Sequence, residues 1–265
     1  MKKIFVLKSL KSKSLVIRDL KLVDKDSVDI SIGNIVNYYQ PQYEIHTMKV
    51  VGVEVLSRIS FDGGNLLYPD FFIPYIVKSK QSRAYFLMVL EKALYEFHQM
   101  RNIEKLSVNV NVSALTVGID NEISDLCFRY SYLPEKLTLE LTEEEDYKIN
   151  KDFFVSIQRV LALGVRISMD DFGKDSACLS NFVVLPFSEI KIDRFLVGSS
   201  LNNEKSSAVI RLCIALGEAL GIQVVAEGIE NIEMLDMMKN LGVSICQGYY
   251  LSKPVDINQL NKLVV

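Results

Sequence analysis

From about Ser27 onward the chain alternates short apolar runs with longer stretches in which apolar residues return every three or four positions. Runs of the first kind have the length of strands and the second kind have helical spacing, so the order of elements is mainly strand, helix, strand, helix. Strands are predicted over 35–40, 50–56, 106–113, 137–142, 165–170, 189–193, 222–226 and 243–246. Pro41 ends the first of these, and residues 43–48 connect it to the second. A Gly63-Gly64 turn and a Tyr68-Pro69 loop come next, followed by a helix over 69–78. Phe86, Leu87, Leu90, Ala93, Leu94 and Phe97 mark another helix, and amphipathic helices are predicted over 152–163, 205–220 and 231–241. Gly164, Gly221 and Gly242 each close a helical stripe just before a strand, where a left-handed residue caps the last turn.

Eight predicted strands with helices between them, and no Pro/Gly/Ser-rich linker, argue for one β/α barrel over 27–265. An open doubly wound sheet is the alternative, and the lack of a G-x-G-x-x-G or P-loop after any strand weakens its nucleotide-binding versions. The length of 265 residues and the apolar fraction of 49% suffice for a sizeable core. A net charge of -3 makes no general case for nucleic acid as a partner. Residues 1–26 hold eight Lys or Arg against three Asp and read as a basic, solvated N-terminal extension. The apolar run at 4–7 imitates a signal peptide, but Lys8, Lys11 and Lys13 cut it short and no small-residue cleavage site follows. No stretch approaches the length of a membrane span, so a soluble, cytoplasmic protein is expected. Cys127, Cys178, Cys213 and Cys246 are scattered and read as small buried hydrophobes in a reducing compartment.

Candidate chemistry gathers at the ends of the predicted strands. Glu54, Asn109 and Asn111, Glu140, Asp170 and Asp171, Lys191 and Asp193, Glu227 and Gln247 all lie inside or just after one. Side chains alternate along a strand, so Asn109 shares a face with Asn111, and Lys191 with Asp193. In Leu137-Thr138-Leu139-Glu140-Leu141-Thr142 the polar residues take one face and the leucines the other, which lets Glu140 point into a barrel. With only His46 and His98, a histidine-based zinc site is not expected. Converging carboxylate and amide oxygens suit Mg²⁺ or Mn²⁺, and so many acids suit two ions sharing Asp170.

The ordered motifs Tyr39-Gln40-Pro41, Gly52-Val53-Glu54-Val55-Leu56-Ser57-Arg58, Asn111-Val112-Ser113, Leu139-Glu140-Leu141-Thr142-Glu143, Asp170-Asp171-Phe172-Gly173, Leu185-Pro186, Lys191-Ile192-Asp193-Arg194, Val225-Ala226-Glu227-Gly228-Ile229-Glu230 and Gln247-Gly248-Tyr249 span about 34–255. Together they resemble the EAL-domain phosphodiesterases, which linearise the bacterial messenger cyclic di-GMP. The resemblance implies a modified TIM (β/α)8 barrel with its first strand antiparallel, and metal-dependent hydrolysis of cyclic di-GMP to pGpG. It implies that Glu54, Asn111, Glu140 and Asp170 hold one Mg²⁺ or Mn²⁺, with Asp170 bridging to a second that Asp171 helps hold. Lys191 and Glu227 take catalytic roles, Lys191 on the attacking water and Glu227 as base. Gln40, Leu56, Arg58, Asp193 and Gln247 become substrate contacts, while Glu143 and Glu230 support the site. Asn109 and Asn111 are in phase, and the longer match through Ser113-Ala114 selects Asn111. Members of the family often pair through the region after the Asp-Asp-Phe-Gly loop, so a homodimer is expected.

The chain departs from the family pattern at Val55, Ile59 and Ser188, and most in the loop Lys174-Asp175-Ser176-Ala177-Cys178-Leu179, where the family has Thr-Gly-Tyr-Ser-Ser-Leu. Asp175 lacks a glycine's freedom at positive φ, and two loop hydroxyls are gone. Two readings follow: an active phosphodiesterase, or a receptor for cyclic di-GMP or a protein partner that does not turn the nucleotide over.

Overall fold

The computed structural model describes residues 14–18, 27–31, 34–61, 64–98, 100, 103–142, 151–174, 182 and 185–264. Two strands, β1 (Ser14–Arg18) and β2 (Ser27–Ser31), pair antiparallel as a separate ribbon. The remaining nine are β3 (Ile35–Glu44), β4 (Val50–Phe61), β5 (Asn65–Leu67), β6 (Leu106–Asn109), β7 (Leu137–Thr142), β8 (Arg166–Phe172), β9 (Glu189–Ile192), β10 (Gln223–Ala226) and β11 (Ile245–Cys246). They form one sheet in the order β3-β11-β10-β9-β8-β7-β6-β4-β5, and β3 also pairs with β4. That extra pairing closes eight strands into the predicted β/α barrel. β3 runs antiparallel to both its neighbours, whereas β4 and β6 through β11 run parallel.

Among the described residues the α-helices are α1 (Pro69–Lys78), α2 (Ser82–Phe97), α3 (Ile119–Tyr130), α4 (Lys151–Ala162), α5 (Arg194–Ser199), α6 (Glu204–Leu220), α7 (Ile232–Leu241) and α8 (Ile257–Leu263). Gly221 and Gly242 cap α6 and α7 in the left-handed conformation, as their positions before strands predict. Among the described residues no helix is long and apolar enough to cross a membrane. Cys127, Cys213 and Cys246 are buried free thiols, and Cys178 lies outside the described residues.

Three strand boundaries differ from the sequence reading by more than two residues, the first being β4, which runs on to Phe61 where the sequence predicts its end at Leu56. β3 runs through Pro41 to Glu44, pairing Pro41 with Val53. Tyr39 exchanges both backbone bonds with Val255 on the edge away from β4, so the missing N–H of Pro41, in phase with it, falls on that edge and spares the β4 ladder. β6 stops at Asn109 instead of reaching 113, because the Asn111 side chain accepts the Ser113 N–H and opens a 3₁₀ turn over Val112–Ala114. β1, β2, β5, α3, α5 and α8 have no counterpart in the sequence reading, and β1 lies within the stretch read as a solvated basic extension.

Alternation along the strands sorts two environments. Leu106 and Val108, Leu137, Leu139 and Leu141, Ile167 and Met169, and Ile190 and Ile192 are buried in the continuous apolar core. The intervening residues Ser107, Thr138, Glu140, Ser168, Glu189 and Lys191 are buried too, and they fill the lumen. Parallel barrels usually pack this space with branched apolar side chains. Here its deep end holds an ion pair between Lys105 and Glu189, and Ser168 Oγ donates to Glu189 Oε1 at 3.0 Å. Gly52 makes room for that pair, since a Cβ there would lie 2.9 Å from both Gln42 Oε1 and Lys105 Cε.

Candidate functional site

At the carboxyl ends of the parallel strands the lumen opens into a cavity of about 330 Å³ lined by Gln40, Glu54, Asp170, Asp171, Lys191, Asp193, Glu227 and Gln247, among others. Lys191, from β9, stands at its floor with 1% of its side chain exposed. Its Nζ lies 2.8 Å from Glu227 Oε1, 2.9 Å from both Glu140 Oε2 and Asp170 Oδ1, and 3.5 Å from Glu54 Oε2. Strands β4, β7 and β8 and the residue after β10 thus each send one acid to a single ammonium.

Amides tie the acids together. Gln247 Nε2 donates to Glu54 Oε2 at 2.6 Å and to Gln40 Oε1 at 3.1 Å. Asn109 Nδ2 donates to Glu54 Oε1 at 3.0 Å and to Glu140 Oε2 at 3.3 Å. Strand spacing alone put Asn109 and Asn111 on equal terms, and the structure gives them different contacts. Asn109 bridges two carboxylates, while the Asn111 side chain caps the 3₁₀ turn and lines a neighbouring cleft.

Adjacent aspartates on a regular strand would face opposite ways. The β8–β9 register shifts between Met169 and Phe172, which inserts a bulge, and Asp171 takes φ 57°. A bulge re-aims a side chain. As a result Asp170, Asp171 and Glu227 present oxygens that all lie within 4.8 Å of one another.

Burial, with Asp170 and Glu54 adding repulsion against the pull of Lys191, lifts Glu227 to about 8. Burial also raises Glu140 well above the ordinary carboxylate range, and burial with Asp170 beside it raises Asp171. For Lys191 burial is the largest single influence and favours the neutral amine, yet the four carboxylates together outweigh it and hold the pKa well above 10.5. One ammonium among so many acids leaves excess negative charge, and Glu140 Oε1 is buried without a hydrogen-bond partner. A set of hard oxygen donors with that excess fits a divalent cation such as Mg²⁺ or Mn²⁺.

The remaining predicted residues sit around this centre. Asp193 caps α5 by accepting the Phe195 N–H at 2.8 Å while lining the cavity, and Glu230 is exposed on its rim. Leu56 lines a second cleft of about 600 Å³, with Ile73, Pro74, Val77 and Tyr85 on its wall. The Arg58 guanidinium lies 4.7 Å from the Tyr68 ring centroid and 5.9 Å from that of Tyr38. Lys174, Arg194 and Tyr249 also line the first cavity, and no spacing rule singled them out. Glu143 and residues 175–181 lie outside the described residues.

A family model describing the EAL domain matches residues 25–254. The chain belongs to the EAL domain family. Among curated EAL relatives, the oxygen sensor protein DosP of Escherichia coli strain K12 is 30% identical over 227 residues, covering 84% of this chain and 28% of DosP. The cyclic di-GMP phosphodiesterase RocR of Pseudomonas aeruginosa is 29% identical over 227 residues, covering 84% of this chain and 58% of RocR. The chain therefore spans well under two thirds of these relatives. Among solved EAL structures, the enzyme Bd1971 with cAMP and cyclic di-GMP bound superposes with a TM-score of 0.81 at 28% identity, covering 88% of this chain and 65% of that one. The PaMucR phosphodiesterase in complex with c-di-GMP gives 0.77 at 28% identity, covering 86% of this chain and 94% of that one.

Proposed function

We propose that this EAL domain hydrolyses cyclic di-GMP to the linear dinucleotide pGpG with the help of two Mg²⁺ or Mn²⁺ ions. The observation that carries the reading is the buried Lys191 ammonium held by Glu54, Glu140, Asp170 and Glu227, with Asp171 turned towards the same cavity. Glu54, Glu140 and Asp170 would hold one ion, with the amide beside them supplied by Asn109 in place of the expected Asn111, whose side chain caps the 3₁₀ turn, and Asp170 and Asp171 would hold the other. Bound there, the ions would supply Lewis-acid charge to the phosphodiester.

The protein's own groups do the rest. Asn109 and Gln247 fix the Glu54 carboxylate through hydrogen bonds, one to each of its oxygens. Glu227 takes a proton from the attacking water, whose oxygen bonds to phosphorus as the P–O3′ bond breaks and the leaving oxygen gains a proton. Lys191 stays protonated and offsets the charge that develops on the phosphoryl oxygens. The apolar cleft beside the cavity suits a guanine face against Leu56, and Arg58 suits a phosphate.

The test is incubation of the purified chain with cyclic di-GMP and Mg²⁺ or Mn²⁺, with pGpG followed by chromatography. Glu227→Gln is expected to lose turnover by about 100-fold or more as a lost acid–base group, and Glu54→Ala to lose it with the ion that carboxylate would hold, while nucleotide binding stays measurable in both. Unchanged turnover in Glu227→Gln removes its role as base. A second reading, a receptor that binds without turnover, draws support from Lys174, whose Nζ lies 3.3 Å from Asp171 Oδ2. It predicts binding with no pGpG even at enzyme concentrations near those of the nucleotide.

A further inference from the structure

The turn launched by the two aspartates brings a lysine back to them. Asp171 and Lys174 are the first and last residues of a four-residue turn, closed by the Lys174 N–H donating to the Asp171 carbonyl at 3.2 Å. Gly173, at its third position, takes φ 92°, the left-handed conformation that a type II turn requires there. The turn closes a second time through side chains, Lys174 Nζ to Asp171 Oδ2 at 3.3 Å. Asp170, Asp171 and Lys174 are the residues common to the walls of the 330 Å³ cavity and the 600 Å³ cleft, so this ammonium stands where the two spaces meet.

The two lysines of the site differ in kind. Lys191 is locked among four carboxylates with 1% of its side chain exposed, whereas Lys174 is 48% exposed where the cavity and the cleft meet. An oxygen that accepts from an ammonium cannot offer the same lone pair to a metal, and a cation tethered nearby repels an incoming one. We propose that Lys174 is a tethered cation that contends with the second divalent ion for the Asp171 carboxylate, and so sets that ion's affinity. This rests on the two-ion reading above. The first ion would be held through Glu54, Glu140 and Asp170, not through the Asp171 carboxylate that Lys174 contacts. An EAL site with this lysine fills its second position only at higher metal concentration, with the lysine swung towards the cleft.

The test is calorimetric titration of Mn²⁺ alone into metal-stripped protein, comparing the unaltered chain with Lys174→Met and Lys174→Arg. Thermal melting of each variant checks that the fold is kept. The unaltered chain is expected to bind one ion tightly and one weakly. Lys174→Met should tighten the weaker ion by about fivefold, the size of a partly exposed ion pair, and leave the tighter one unchanged. Lys174→Arg keeps the positive charge and should behave as the unaltered chain. The gain in Lys174→Met should shrink at high salt, because the pair is solvent-screened. Two ions bound with the second unchanged or weakened in Lys174→Met overturn the tether and leave the two-ion reading standing. Failure of every form to bind any ion overturns both.

Discussion

A lysine keeps its charge in a buried place only when compensation surrounds it, and Lys191 has four carboxylates within 3.5 Å. The acids are then the frustrated partners. Glu227 is lifted from 4.5 to about 8, and Glu140 and Asp171 move the same way. A carboxylate whose folded pKa is raised stabilises the fold fully below its ordinary pKa, and that share is lost as pH rises through the folded value. Without metal, the melting temperature should therefore fall as pH climbs from 4.5 through about 8 for the Glu227 share. Saturating Mn²⁺ should flatten that decline, since cations take the place of the lost protons. Melting curves across this range in chelator and in Mn²⁺ provide the check, and a flat profile in chelator contradicts an over-acidic site. The two aspartates were legible in the sequence as a strand-end pair, but their shared direction was not. Alternation sends neighbours to opposite faces, and only the bulge, a property of the β8–β9 register, reverses that for Asp171.

At the scale of elements, the run at 137–142 announced its two faces because every second residue is a leucine. The order of strands, and the polar residues at their ends, followed from such runs. Two features did not. β6 looked long because alternation continues to Ser113, yet Asn111 diverts the backbone into a turn. The deep pair of Lys105 and Glu189 joins residues 84 apart, each of which reads locally as an ordinary strand-edge charge. Truncating one member leaves the other buried and uncompensated, so Lys105→Met is expected to destabilise the fold by about 3–5 kcal/mol. Lys105→Met with Glu189→Met should recover most of this, because two thioether chains fill similar volume without charge. Urea unfolding of the single and double variants measures both. A single variant as stable as the unaltered chain shows that the pair is not held in a low-dielectric place.

At the scale of the whole molecule, closure depends on one strand. The barrel is shut by β3, which pairs with β4 early in the chain and with β11 late in it. The Ile45 N–H bonds to Ser244 and the Tyr39 N–H to Val255, both at the far end of the sequence. Backbone protection in refolding should follow that order: in pulse-labelled hydrogen exchange, amides bonded between β3 and β4 are shielded first and those of Tyr39 and Ile45 last. Simultaneous protection of both sets rules out a hairpin-first route. Tyr43 accepts the Cys246 thiol from 203 residues away. On the ribosome, β3 leaves the exit tunnel with one edge bare and waits for most of the chain to be translated before that edge is covered. An uncovered strand edge is a template for a foreign strand. Nascent chains stalled before β11 are thus the form of this protein with most need of a chaperone, and the antiparallel strand that seals the barrel is also its longest exposure during synthesis.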